Sequence, residues 1–280
     1  MSFRKKLVIL CGILLCLILT LFNALYINPF RIKVREEIFT SAKLPKAFDQ
    51  DRVFYFSDLH YGMSNDEMLE ELAEDAALIR PDLILFGGDL IDEAFAAGLS
   101  SSRRQKLVDS LSSMEAVYGK FAVLGEDDLL SDSTRFQTEA ILRESGFDVL
   151  YNESRVIFAP NGEKIRLVGV ASALGGRPDI TAAYAADQGT FTITLVHCPD
   201  QFDDLPAAQT ALCLAGHAHG RQIYFPFFEQ FDRENGAKKY IRGFYEKAPS
   251  LLYVSNGVGT TDKSIRFCAD AEVTVFRLQR

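Results

Sequence analysis

All four histidines of the chain, His60, His197, His217 and His219, sit in short motifs of metal-ligand residues. His60 follows Asp58 with one residue between, directly after the apolar run 53–56. His217 and His219 flank a single alanine in Gly216-His217-Ala218-His219-Gly220, after the run 211–215. Alternate residues on an extended segment point the same way, so each pair can present two ligand side chains from the end of a strand. Neutral imidazole and carboxylate together suit Mn, Fe, Zn or Ni better than Ca or a thiolate-bound structural Zn. Such a centre points to hydrolysis assisted by metal ions.

The elements that must position these groups read as repeating strand, loop and helix. The strand 53–56 is followed by a helix with Met68, Leu72, Ala76 and Ile79 inward, opened by a Ser64 and Glu67 capping box and ended by Pro81. Leu83 to Phe86 is continuously apolar, as in a parallel sheet covered on both faces, and leads into Gly87-Gly88-Asp89. A second helix is expected over 102–116, a strand over 121–124 ending at Gly125-Glu126-Asp127-Asp128, and a third helix over 134–144. The later half is richer in strands, at 148–151, 155–159, 165–170, 190–196, 251–254 and 272–278, with an Asn161-Gly162 hairpin turn. Each ligand-type motif falls just after a strand, where open α/β sheets carry their sites.

The N-terminus is of another kind. Arg4, Lys5 and Lys6 precede Leu7 to Ile27, a run of 21 residues broken only by Gly12, Thr20 and Asn23. At about 1.5 Å per residue it crosses a hydrocarbon core of about 30 Å. It is longer than a signal peptide's apolar region and no small-x-small site ends it, so an uncleaved single-pass anchor is the reading. The organisation is then a basic tail over 1–6, an anchor over 7–27, a juxtamembrane connector over 28–50 with Pro29 and Pro45, and one domain over 51–280. Arg31, Lys33 and Arg35 nearly balance the basic residues before the anchor, which leaves an inside N-terminus and an extracytoplasmic domain as the preferred orientation.

Beyond residue 35 the chain holds 24 Lys or Arg against 38 Asp or Glu, a net charge of −14. That balance argues against nucleic-acid binding, which relies on basic side chains to neutralise phosphates. A phosphate substrate must therefore be met by metal. Cys198, Cys213 and Cys268 match no metal knuckle or disulfide framework and read as buried free thiols.

In order and spacing, Asp58-x-His60, Gly88-Asp89, the Gly125 loop, His197 and Gly216-His217-x-His219 resemble the calcineurin-like metallophosphoesterase superfamily. Leu44-Pro45 with Phe48, Gly220-Arg221-Gln222-Ile223 and Tyr253-Val254-Ser255-Asn256-Gly257-Val258-Gly259 extend the likeness to a bacterial, membrane-anchored branch similar to UDP-diacylglucosamine hydrolases. The resemblance implies a four-layer α/β/β/α sandwich with two divalent metals, manganese favoured, at the strand ends. Carried over, Asp58, His60 and His219 hold the first metal, Asp89 bridges, and His197 and His217 hold the second. Asp89 thereby also belongs to the catalytic machinery.

One motif departs from that pattern. Gly125-Glu126-Asp127-Asp128 stands where the family has Gly-Asn-His followed by an acid, so a ligating Asn and an assisting His are both replaced. Glu126 can still give an oxygen to the second metal, and Asp127 can donate a proton if burial or a second carboxylate raises its pKa. Three readings follow: a working enzyme with altered metal or substrate preference, a slow enzyme, and a phosphate-ligand-binding protein without catalysis. The six ligand-type residues retained in register favour the first.

Arg221 is a candidate contact for substrate phosphate, and Asp92 and Asp128 are either imidazole-orienting groups or loop caps. The aromatic stretch Tyr224-Phe225-Pro226-Phe227-Phe228 with Phe231 is either core or a lip against lipid or an acyl chain. The chain is thus expected to be a membrane-anchored dinuclear hydrolase of a phosphate ester or pyrophosphate, attacked by hydroxide generated at the metals. The substrate is lipid-linked on the favoured reading and a soluble phosphodiester on the alternative.

Overall fold

A computed structural model describes residues 2–62, 66–92, 98–186, 189–225, 234–261 and 263–280. Among them, twelve strands form two six-stranded sheets. The first runs β1 (Lys33–Thr40), β12 (Glu272–Gln279), β2 (Arg52–Phe56), β3 (Leu83–Phe86), β4 (Lys120–Ala122) and β5 (Phe147–Val149). The second runs β10 (Gly243–Lys247), β11 (Ser250–Val254), β9 (Leu212–Ala215), β8 (Thr192–Leu195), β7 (Lys164–Gly169) and β6 (Glu153–Phe158). The runs β2 to β5 and β7, β8, β9 and β11 are parallel, as their continuous apolar sequences anticipate.

The sheets pack face to face through Val53, Tyr55, Leu83 and Leu85 on one side and Leu167, Ile193, Leu195 and Leu212 on the other. Outside the first sheet lie α2 (Asp66–Ile79), α3 (Ser101–Ser113) and α4 (Asp132–Glu144), burying Leu72, Leu107 and Ile141 against Phe54, Phe56 and Phe86. Ser100 and Ser131 cap α3 and α4 by accepting the N–H of Arg103 and Thr134. The face beyond the second sheet carries a thinner layer, the four-residue α5 (Ile180–Ala183) and turns that bring in Phe202 and Tyr240. The expected α/β/β/α order is present, and the Asn161-Gly162 turn joins β6 to β7 antiparallel.

The helix α1 (Phe3–Tyr26) is long and apolar enough to cross a membrane. Ala24 is its one buried residue. Residues 28–50 are more than a connector, because β1 lies within them and completes the first sheet beside β12. Its sequence, Lys-Val-Arg-Glu-Glu-Ile-Phe-Thr, is half charged and mostly exposed, as edge strands are, so it carries no buried-strand pattern. Two further differences are local. Ser64 of the expected capping box lies outside the described residues, and Cys268 is exposed where Cys198 and Cys213 are buried.

Candidate metal centre

The strand ends of both sheets converge. Asp58 and His60 follow β2, Asp89 follows β3, Glu126 follows β4, His197 follows β8, and His217 and His219 follow β9. The paired residues do not reach the centre by strand alternation. Asp58, His60, Asp89, His217 and His219 all have φ between 43° and 69°, so each chain turns left-handed as it leaves its strand. That conformation is uncommon outside Gly, though Asp and His tolerate it best, and it persists where the surroundings over-determine it.

Two groups of ligand atoms result. Asp58, His60 and His219 form one, and Glu126, His197 and His217 the other, with the atoms of each group within 4.8 Å of one another. Asp89 lies between them, its Oδ2 being 3.1 Å from His197 Nε2 and 3.9 Å from His60 Nε2. All but Glu126 are buried.

The outer nitrogens of three imidazoles are committed. His60 Nδ1 lies 2.8 Å from Asp92 Oδ1, His197 Nδ1 2.7 Å from the Gly87 carbonyl, and His217 Nε2 2.6 Å from the Asn235 carbonyl. Each such partner fixes the tautomer that leaves the other nitrogen, facing the centre, with its lone pair available to a cation. Asp58 Oδ2 is buried with no hydrogen-bond partner among the described residues, whereas His197 Nε2 lies 2.7 Å from Glu126 Oε2 and 3.1 Å from Asp89 Oδ2, and His217 Nδ1 touches Glu126 Oε1. His60 Nε2 and His219 Nε2 face each other at 3.1 Å, a contact two neutral acceptors make favourably only with a proton or cation between them. Buried acceptors that face one another are costly without a cation between them, so this set of atoms fits divalent metal.

Asp127 Oδ2 lies 3.2 Å from His60 Nδ1, and the Asp127 N–H donates to Asp89 Oδ1 at 2.9 Å. The Asp127 side chain is 26% exposed. Asp128 is a loop cap. Its carboxylate accepts from the N–H groups of Asp89, Leu90 and Gly125 at 2.8–2.9 Å. Burial and the charge of Asp89 push it up to about 7. Asp92, by contrast, holds an imidazole. Arg221 lines a cavity of about 450 Å³ with His219, Gln222, Glu234 and Thr261. Phe225 packs on Phe267 and is 46% exposed, while residues 226–233, including Phe227, Phe228 and Phe231, lie outside the described residues.

Sequence reasoning did not find Asn235, whose carbonyl carries no signal in residue type, or Glu272. The buried Glu272 carboxylate takes hydrogen bonds from Tyr253, Arg35 and both the N–H and side chain of Asn256. It stiffens the loop beside Asp58.

A calcineurin-like phosphoesterase family model matches residues 52–247. The chain belongs to this family. Among its phosphoesterase relatives, the uncharacterized metallophosphoesterase YkuE of Bacillus subtilis is 31% identical over 261 residues, covering 91% of this chain and 88% of YkuE. Phosphodiesterase YaeI of Escherichia coli is 28% identical, covering 81% and 82% of the two chains. UDP-2,3-diacylglucosamine pyrophosphatase LpxG of Chlamydia muridarum is 26% identical, covering 84% and 86%. This phosphoesterase is accordingly a metal-dependent phosphoric ester hydrolase by family.

The electrostatics of the phosphoesterase centre favour loading at higher pH. Burial lowers the His60 and His197 imidazoles, but carboxylates more than reverse this: Asp127 and Asp92 raise the first, Asp89 and Glu126 the second. His217, also opposed by burial, is raised to about 9 by Glu126. His219 is lowered by burial and by His60 beside it. In the metal-free protein the three raised histidines contribute stability that is full below about pH 6.5 and lost as pH rises, for His217 through about 9. Metal must displace their protons. We expect Mn²⁺ affinity to strengthen from pH 6 towards 9, with net proton release on binding near pH 7. Calorimetry in two buffers of different ionisation enthalpy checks this, and binding without proton release would sink it.

Proposed function

We propose that this chain is a membrane-anchored dinuclear phosphoesterase with manganese preferred. Asp58, His60 and His219 would hold one ion, His197, His217 and Glu126 the other, and Asp89 both. The observation that carries the reading is the convergence of two ligand groups on Asp89, with buried inward atoms that crowd against one another's lone pairs. When bound, the two ions supply Lewis-acid activation of water and neutralise phosphoryl charge. The residues do the rest. Gly87, Asp92 and the Asn235 carbonyl fix imidazole tautomers, and Asp128 pins the Asp89 and Gly125 backbones.

Glu126 substitutes for the family's Asn as a charged ligand, which tightens its ion and weakens that ion's pull on an anionic substrate. Asp127 acts with Asp92 on His60, and a proton it carries can reach a leaving group only through the exposed part of its carboxyl. A leaving group that needs little acid help, such as a phosphate monoester, suits this arrangement. Arg221 is the substrate-phosphate contact from the wall of the adjoining cavity.

The substrate class we infer is a phosphate ester or pyrophosphate carried on a lipid, with the domain outside the cytoplasm. The long apolar α1 supports it, as does likeness to LpxG, whose name joins a pyrophosphate with a diacylated sugar. The test uses the full chain in detergent with Mn²⁺, an aryl phosphodiester and monoester, and an acylated phosphate ester in vesicles. Two ions per chain with turnover is the expected result, with preference for the acylated ester. Two ions without turnover, rescued by Glu126→Asn with Asp127→His, would mean that the protein binds rather than cleaves. Equal activity on the deacylated ester would favour a tethered phosphodiesterase.

A further inference from the structure

Arg266 is wholly buried, and both terminal nitrogens of its guanidinium donate to backbone carbonyls, while its Nε has no partner among the described residues. Its Nη1 donates to Ala269 and Asp270 at 3.0 and 3.4 Å. Its Nη2 donates to Asn256 and Gly257 at 2.9 and 3.1 Å and to Gly259. A buried cation with this many acceptors fixes the segment 256–259 in one shape.

That segment is the backing of a ligand. The Val258 N–H donates to the Ser57 carbonyl at 3.0 Å and the Gly259 N–H to the Asp58 carbonyl at 2.7 Å. Gly257 has φ +71°, and a Cβ there would lie 2.8 Å from Asp58 Cβ and 2.9 Å from its Oδ2, so the Gly257 backbone packs directly on the Asp58 side chain. Asp58 itself holds φ 53°, a conformation that needs external support.

The backbone of Arg266 faces the other way. Its N–H donates to the Ala24 carbonyl at 3.0 Å, and its carbonyl accepts from Asn28 Nδ2 at 3.5 Å. Ala24 is the buried residue at the end of α1. A single residue therefore grips the last turn of α1 with its main chain and the backing of Asp58 with its side chain.

We propose that Arg266 is a positioning residue that couples the seating of α1 to the affinity of the Asp58 metal site for a divalent cation. The bilayer's part in this rests on α1 being an anchor, as proposed above. The link from α1 through Arg266 to Asp58 does not.

The test is Mn²⁺ titration of the full chain in detergent micelles and in phosphatidylcholine nanodiscs, followed by the resonance of free Mn²⁺. Arg266→Gln is expected to weaken one of the two sites by about 10- to 100-fold, the usual scale for loss of an outer support, and leave the other within about twofold. Arg266→Lys, keeping the charge with fewer donors, recovers part of the loss. Ala24→Trp, which pushes the end of α1 off its seat, weakens the same site. In a His217→Ala background, which impairs the other site, the remaining site is the one affected.

Equal weakening of both sites by Arg266→Lys and Arg266→Gln would overturn the proposal and make Arg266 a general brace of the fold. Wild-type titrations of a folded Ala24→Trp protein would overturn the coupling to α1. Carbonate extraction of the wild-type chain from membranes is read separately. If it releases the chain, the anchor reading fails, while the micelle titrations still decide the role of Arg266.

Discussion

Asp89→Asn is expected to leave the chain with fewer than two bound ions and to lower turnover by about a thousandfold, the upper scale for removing one electrostatic stabiliser of a reacting phosphoryl group. The amide is nearly the same shape, and its Oδ1 can still accept the Asp127 N–H, so the loop has no reason to move. What changes is charge. Asp89 is the carboxylate that faces both ligand groups, at 3.1 Å from His197 and 3.9 Å from His60. Two dications about 4 Å apart repel by on the order of 15 kcal/mol at an effective dielectric of about 20, and an anion between them offsets this. Elemental analysis of the purified variant gives the stoichiometry. Full occupancy by two ions would refute the bridging assignment.

The second large effect is on the fold of the centre. Gly88→Ala is expected to destabilise the protein by about 3–5 kcal/mol, the sum of backbone strain and overpacking. For a chain of this size that is a fall of about 10 °C in the midpoint of thermal unfolding. Gly88 has φ +99°, and a Cβ there would lie 2.5 Å from the Gly125 amide nitrogen and 2.8 Å from His197 Nδ1. Neither neighbour yields cheaply, because one is backbone and the other is held by the Gly87 carbonyl. Gly98→Ala is the control, with nothing among the described residues within 4 Å of the added methyl. Equal melting of the two variants, each with two metals, would show that the strand ends are looser than their contacts imply.

The legible and illegible parts of this molecule divide along physical lines. Residues whose chemistry is strong and whose place follows a strand, such as Asp58, His197 and His219, announce themselves, because apolar runs and ligand types coincide in the sequence. The parallel strands were equally readable, since Leu83–Phe86 and Leu212–Ala215 are buried throughout. The strands β1 and β10 were not, because they lie at sheet edges and mix charged residues with exposed apolar ones such as Ile38 and Phe244. The reason two residues of one motif converge was also misread, as left-handed turns do what strand alternation was expected to do. Arg266 acts through nearby backbone carbonyls and Glu272 through the side chains of Tyr253, Asn256 and Arg35, and no spacing of residue types marks either role.

The pairing of β1 with β12 has a consequence for how the protein is made. The strand beginning seven residues after α1 ends finds its only described sheet neighbour in the last strand of the chain, with Lys33 opposite Glu272 and Thr40 opposite Gln279. During synthesis β1 leaves the ribosome well before β12 and must wait for it unpaired. Domains form as their segments leave the ribosome, and unpaired edges at that stage invite association. The charges of Lys33, Arg35, Glu36 and Glu37 keep the waiting strand soluble. Closure of the first sheet at β1 therefore waits on β12, and a chain truncated before residue 272 leaves β1 without its described partner.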